Sequence, residues 1–117
     1  MFPEGSREPY ERMRKLIQKI AEPLKATPYR ISITGHTSAP EIPPRPDYGP
    51  WNLSVERANT VRQILEKEGY PSANIYKVAG KADTDPLFPE DRSIAPNRRI
   101  TITLIREAPP VPVGLQP

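Results

Sequence analysis

Apolar residues recur along this chain with two different periods, and the switches between them outline its elements. Met13, Leu16, Ile17, Ile20 and Leu24 fall at three- and four-residue steps, one stripe of an amphipathic helix. Glu8-Pro9 reads as an N-cap followed by proline at the first helical position, where its missing N–H costs nothing. Pro23 is expected to kink or end this helix. After Thr27-Pro28 the period becomes two. Arg30-Ile31-Ser32-Ile33-Thr34 alternates and is rich in β-branched residues, a strand that leaves through the polar run Gly35-His36-Thr37-Ser38-Ala39. Leu53, Ala58, Val61, Ile64 and Leu65 predict a second helix, capped by Asn52 or Ser54 and stopped at Gly69. Ile75-Tyr76-Lys77-Val78-Ala79 predicts a second strand ending at Gly80. A third runs from Ile100 to Ile105, with Ile100, Ile102 and Leu104 on one face. The order helix, strand, helix, strand, strand predicts an α/β sandwich, helices packed on one face of a small mixed β-sheet.

Proline modifies this outline. The chain has 17 prolines in 117 residues, clustered between Pro40 and Pro50 and between Pro109 and Pro117. The first cluster excludes a helix or central strand and makes a loop that carries Glu41, Arg45, Asp47 and Tyr48 beside the end of the first strand. The second lies in a tail over 108–117, expected to be extended or disordered, which leaves residues 1–107 as the domain. Lys81 to Pro96 reads as a polar loop with a helical turn around Ser93.

Charge and reactive residues exclude more than they assign. With no cysteine there is neither a disulfide scaffold nor a thiolate metal site, and Asp83 and Asp85 lack the further acids and glycine hinge of a calcium loop. No metal or cofactor is expected. The net charge of +3 is mild, and the basic residues alternate with acids, as in Glu56-Arg57 and Glu66-Lys67-Glu68, without aromatic interleaving. That describes solvated helix faces, so no nucleic-acid partner is expected. No apolar run reaches the roughly 20 residues that span a bilayer. His36 is the single histidine, with no nucleophile motif to serve, and reads as a hydrogen-bonded structural residue; the chain is not expected to be an enzyme. In the junction Trp51 to Ala58, Leu53 and Ala58 are expected to anchor the helix start. Arg57 then faces a loop and receives an anionic ligand, or pairs with Glu56 or Asp47 at the surface; Trp51 anchors the proline loop.

Several of these residues together resemble one family. Gly35-His36-Thr37 after a strand, Leu53-Ser54 followed by Arg57-Ala58 in a helix, and Asn97-Arg98-Arg99-Ile100 before the last strand are similar to the OmpA-like peptidoglycan-binding domain. Trp51, the proline-bearing loop before it and the opening Met1-Phe2-Pro3-Glu4-Gly5-Ser6 are more similar to the flagellar-stator branch of that family. The resemblance covers Met1 to Ile105.

It implies a periplasmic module of an inner-membrane-anchored protein, gripping the peptide stem of peptidoglycan to tie a flagellar motor stator to the cell wall. In the family an aspartate after Gly-His-Thr and the helix arginine hold the ionic ends of a diaminopimelate residue, the arginine fork pairing with a carboxylate and the aspartate with an ammonium. Arg57 matches the arginine; Ser38 stands at the aspartate, and Pro50 replaces an asparagine. The implied peptide-binding set is Thr37, Ser38, Arg57, Asn97 and Arg98, with Glu41 or Asp47 supplying the charge that Ser38 lacks. Exchanging a charge-assisted hydrogen bond for a neutral one weakens binding about tenfold. The resemblance also implies a homodimer, a proton-channel stator subunit (MotA-type) as partner through a membrane segment outside this chain, and a family first strand that is lacking or truncated, leaving a sheet edge open. The alternative is a periplasmic protein-interaction module of the same fold with weakened or lost wall binding.

Overall fold

A computed structural model describes residues 1–41 and 47–106; Arg45 and the expected tail over 108–117 lie outside them. The first strand, β1 (Arg30–Gly35), is central. It pairs in parallel with β2 (Ile75–Gly80) and antiparallel with β3 (Ile100–Ile105), in the order β2-β1-β3. A parallel pair requires a crossover, and helix α2 (Pro50–Lys67) supplies it. Helix α1 (Glu11–Lys25) packs beside α2, so two helices cover a small mixed three-stranded sheet, the two-layer architecture expected from the sequence. Among the described residues no strand precedes α1, and β3 pairs on one side only.

The core lies between the layers. Ile31 and Ile33 of β1 meet Ile17 and Ala21 of α1, and Ala58, Val61, Ile64 and Leu65 of α2, with Phe2 and Tyr70 closing its ends. Leu53 is buried at the start of α2, as its place on the apolar stripe predicts. Ile100 and Ile102 pack against this core, but Leu104 is 46% exposed, on a strand with a neighbour on one side only. In α1, Leu16 is likewise exposed, while Met13, Ile20 and Leu24 flank the buried Ile17 and Ala21.

Local boundaries differ from the sequence reading at several points. The cap of α1 is Tyr10, so Pro9 lies outside the helix, where the Glu8 N–H instead donates to Ser6 Oγ. Pro23 sits inside the last turn and does not stop α1, which continues to Lys25. Helix α2 begins one residue before Trp51, with Gly49 as cap and Pro50 at its first position. Asn52 does cap it, but from the third position, where its Oδ1 accepts the Gly49 N–H at 3.0 Å. The helical turn expected near Ser93 is a short 3-10 turn over Ala95–Asn97.

Two glycines bring the layers together at the functional end. Gly35 and Gly80 are register partners at the ends of the parallel strands, and the first turns of α2 lie directly on them. A Cβ on Gly35 would stand 1.9 Å from the Ser54 carbonyl oxygen; one on Gly80 would stand 2.3 Å from Ser54 Oγ and 2.5 Å from the Val55 nitrogen. Against helix backbone there is no flexible atom to give way. Gly35→Ala is therefore expected to destabilise the domain by at least about 3 kcal/mol, at the upper end of overpacking costs. Urea unfolding checks this, and an unchanged midpoint would show that α2 does not need this approach.

Candidate functional site

The site forms where β1 leaves the sheet. The His36 N–H donates to the Arg99 carbonyl at 2.8 Å, the Thr37 N–H to the Ala82 carbonyl at 2.8 Å, and the Ala39 N–H to the Arg92 carbonyl at 2.8 Å. The exit strand is thus stitched to the segments after β2 and before β3. Ala82, held in the left-handed region at φ 52°, donates its own N–H to Ser54 Oγ at 3.0 Å. Ser54, which the sequence offered as a helix cap, instead links α2 to this junction and donates its hydroxyl to the Trp51 carbonyl.

One turn further along α2, Arg57 is fully buried, and it has five N–H groups to satisfy. Nε donates to the Ser6 carbonyl at 2.8 Å, one Nη to the His36 carbonyl at 3.1 Å and the other to the Pro3 carbonyl at 3.0 Å. The remaining two N–H groups form a fork on the Glu41 carboxylate, at 2.9 Å to Oε1 and 2.8 Å to Oε2. Below the guanidinium lies the buried Phe2 ring, its centroid 5.1 Å from Cζ. Neither Glu56 nor Asp47 is the partner considered in the surface reading: Glu56 pairs with Arg7 and accepts the Tyr48 hydroxyl, while Asp47 is exposed two residues before the helix cap.

Glu41 is as completely held as Arg57. Besides the fork, Oε1 accepts the Ser38 N–H at 2.7 Å and Oε2 the Gly5 N–H at 2.8 Å. Burial alone would push this carboxyl up, but the Arg57 hydrogen bonds and the two backbone N–H groups outweigh it and hold Glu41 below the usual carboxylate value. Of the two acids expected to supply charge here, Glu41 is the one that reaches the site, and it spends that charge on Arg57.

The other anticipated residues divide by task. Thr37 and Ser38 are buried at the exit of β1, and their hydroxyl oxygens have no hydrogen-bond partner among the described residues. Asn97 is fully buried and organises the neighbouring loop, accepting the Phe88 N–H at 2.9 Å and donating to the Asp91 carbonyl at 3.0 Å. Arg98 donates Nε to the Phe2 carbonyl at 2.9 Å and so holds the N-terminal segment over Arg57. His36 is buried, with Nε2 3.1 Å from Thr101 Oγ1; burial and then the Arg99 charge push its pKa down to about 4, so it is neutral at pH 7. Trp51 is 56% exposed, and residues 42–46 of the proline loop it was expected to anchor lie outside the described residues. Ser38, Pro40, Glu41, Pro50, Asp83 and Arg92 line a surface recess of about 460 Å³ that opens onto this end of the sheet. The contribution of Pro3, Gly5 and Ser6 was missed in the sequence, because backbone groups of an irregular segment leave no periodicity; only the apolar Phe2 hints at docking.

A buried arginine at a strand end, presented to a carboxylate by a helix seated on two glycines, belongs to a known class of domain. The OmpA family model matches residues 1–99, and the chain belongs to the OmpA family. Membership makes it a structural binding module and not an enzyme. Among its relatives, motility protein B of Escherichia coli is 35% identical over 92% of this chain, which spans 35% of that protein. Solved structures share the fold, among them these two. The C-terminal domain of Helicobacter pylori MotB superposes with a TM-score of 0.75 at 19% identity, over 92% of this chain and 84% of that one. The cell wall anchor of the type VI secretion system of Pseudomonas aeruginosa gives 0.74 at 26% identity, over 92% and 76%.

Two outcomes follow from the geometry. Arg57→Met leaves the Glu41 carboxylate buried without its cation and is expected to cost about 3–5 kcal/mol in urea unfolding. Acid acts through His36 first. Because its folded pKa lies near 4 against 6.5 unfolded, the unfolded chain binds the extra proton between those values. Stability is therefore full above about pH 6.5 and declines as the pH falls toward 4. Loss of the Glu41 ion pair continues the decline below the usual carboxylate value. Urea midpoints measured at stepped pH should show this slope, and His36→Gln should flatten it between pH 6.5 and 4.

Proposed function

We propose that this domain binds the peptide stem of peptidoglycan without catalysis and anchors a flagellar motor stator to the cell wall. The observation that carries the reading is a pre-organised carboxylate fork at Arg57, beside a surface recess, in a chain of the OmpA family. The likeness to motility protein B and to a cell wall anchor supports it. In this reading Arg57 is the carboxylate-binding group, and the hydroxyls of Thr37 and Ser38, without partners among the described residues, are the neutral contacts of the peptide. Asn97 and Arg98 hold the surrounding segments in place. The same reading puts the chain in the periplasm, as part of an inner-membrane-anchored homodimer working beside a proton-channel stator subunit.

A second reading has one observation in its favour: every N–H of Arg57 is already met within the chain. A module whose fork is permanently filled would dock a periplasmic protein and leave the wall alone.

Sedimentation with purified peptidoglycan sacculi separates the two. Wall binding carries wild-type protein into the pellet; folded protein left wholly in the supernatant favours the second reading. Ser38→Ala refines the site. Removing a buried hydroxyl with no partner among the described residues should leave thermal stability unchanged, yet loss of one neutral hydrogen bond to the peptide should weaken sedimentation about fivefold. Unchanged sedimentation would remove Ser38 from the binding set.

A further inference from the structure

We infer that Glu41 is a built-in occupant of a carboxylate-binding site, and that an external carboxylate binds at Arg57 only in exchange with it. The inference rests on the reading of Arg57 as a wall-peptide site and adds how that site is regulated.

The argument starts from how the work of Arg57 is divided. Three of its N–H groups are bound to the carbonyls of Pro3, Ser6 and His36, which fix the plane of the guanidinium whether or not Glu41 is present. The two that remain point together, and with the N–H groups of Ser38 and Gly5 they form a cradle of four donors, two for each carboxylate oxygen. Nothing in that cradle reads the rest of a glutamate side chain. Any carboxylate of the same shape makes the same four hydrogen bonds.

Glu41 comes from neither helix nor sheet. It follows Pro40 on the exit from β1 and, with Ser38 and Arg92, lines the recess of about 460 Å³. Glu41 and Ser38 are thus part of the wall of a space in which a peptide can lie, with the Glu41 side chain buried behind that wall and the Ser38 hydroxyl, which has no partner among the described residues, buried beside it. A second consequence concerns charge. With Glu41 in place the fork is neutralised, so the cradle offers an incoming carboxylate no net attraction until Glu41 leaves. A tethered group competes at high effective concentration, and apparent affinity falls by the fraction of molecules in which the site is open. The chain thus holds a weakened wall contact that strengthens when the occupant is withdrawn.

The test compares wild type with Glu41→Ala and Glu41→Gln. Thermal melting is measured in sodium acetate and in sodium chloride of matched ionic strength, and sedimentation with purified sacculi is measured in parallel. Acetate is expected to raise the melting temperature of Glu41→Ala by several degrees over chloride and to leave wild type unmoved, because a ligand stabilises only the form whose site is open. Glu41→Ala is expected to sediment with about tenfold less sacculus than wild type. A folded Glu41→Ala that is indifferent to acetate overturns the inference. So does sedimentation of both proteins with the same amount of sacculus. Glu41→Gln retains the side-chain shape without its charge; if both variants stay unfolded in acetate as in chloride, Glu41 is an inseparable part of the core and the inference fails. Acetate rescue with no sedimentation of any protein keeps the self-occupied site and removes the wall-binding function. Sedimentation of wild type without acetate rescue does the reverse.

Discussion

A guanidinium with no access to water imposes a demand on everything around it: five donors need five acceptors, and its charge needs a counter-charge, at cost of several kcal/mol if either is missing. Arg57 meets that demand with four residues from three segments of the chain. Pro3 and Ser6 come from the N-terminal segment, His36 from the end of the central strand, and Glu41 from the loop beyond it. The strand end is stitched to its neighbours by backbone hydrogen bonds, whereas the N-terminal segment and the loop are irregular. Arg57 is what makes them one structure, and Arg98 adds a second tie at the Phe2 carbonyl.

The glycines set where this can happen. Only because Gly35 and Gly80 lack a Cβ can the first turns of α2 rest on the ends of the parallel strands, with Ser54 bonded into the junction after β2. One turn later on the same helix, that placement carries Arg57 over the exit of β1. The chemistry of the site and the packing of the two layers are therefore the same feature seen at two distances. Changes at Gly35 and changes at Arg57 act on one cooperative unit, so their effects are not expected to add.

Ion pairing at this depth is poor evidence for stability by itself, since an apolar pair of similar volume often does as well. What the pair does specify is geometry. A planar fork held by three carbonyls presents its last two N–H groups in one direction, and a carboxylate is the group that fits them. Here the group that fills the fork is the chain's own Glu41 carboxylate.

Much of this was legible beforehand in period and punctuation. Ile31 and Ile33, alternating, marked the central strand, and Leu53, Ala58, Val61, Ile64 and Leu65 marked the buried face of α2. These signals are local, because side-chain direction follows from backbone geometry over a few residues, and the combined pattern of Gly35-His36-Thr37, Arg57 and Asn97-Arg98 was sufficient to indicate the family. What only the tertiary structure decided was which partner each charge finds. Glu41 and Arg57 are sixteen residues apart and Gly5 is farther still, so no periodicity links them. The exposure of Leu104 was settled in the same way, by the absence of a neighbour on one side of its strand among the described residues. A sequence encodes direction and propensity residue by residue, whereas the satisfaction of a buried charge is decided by the groups that folding brings around it.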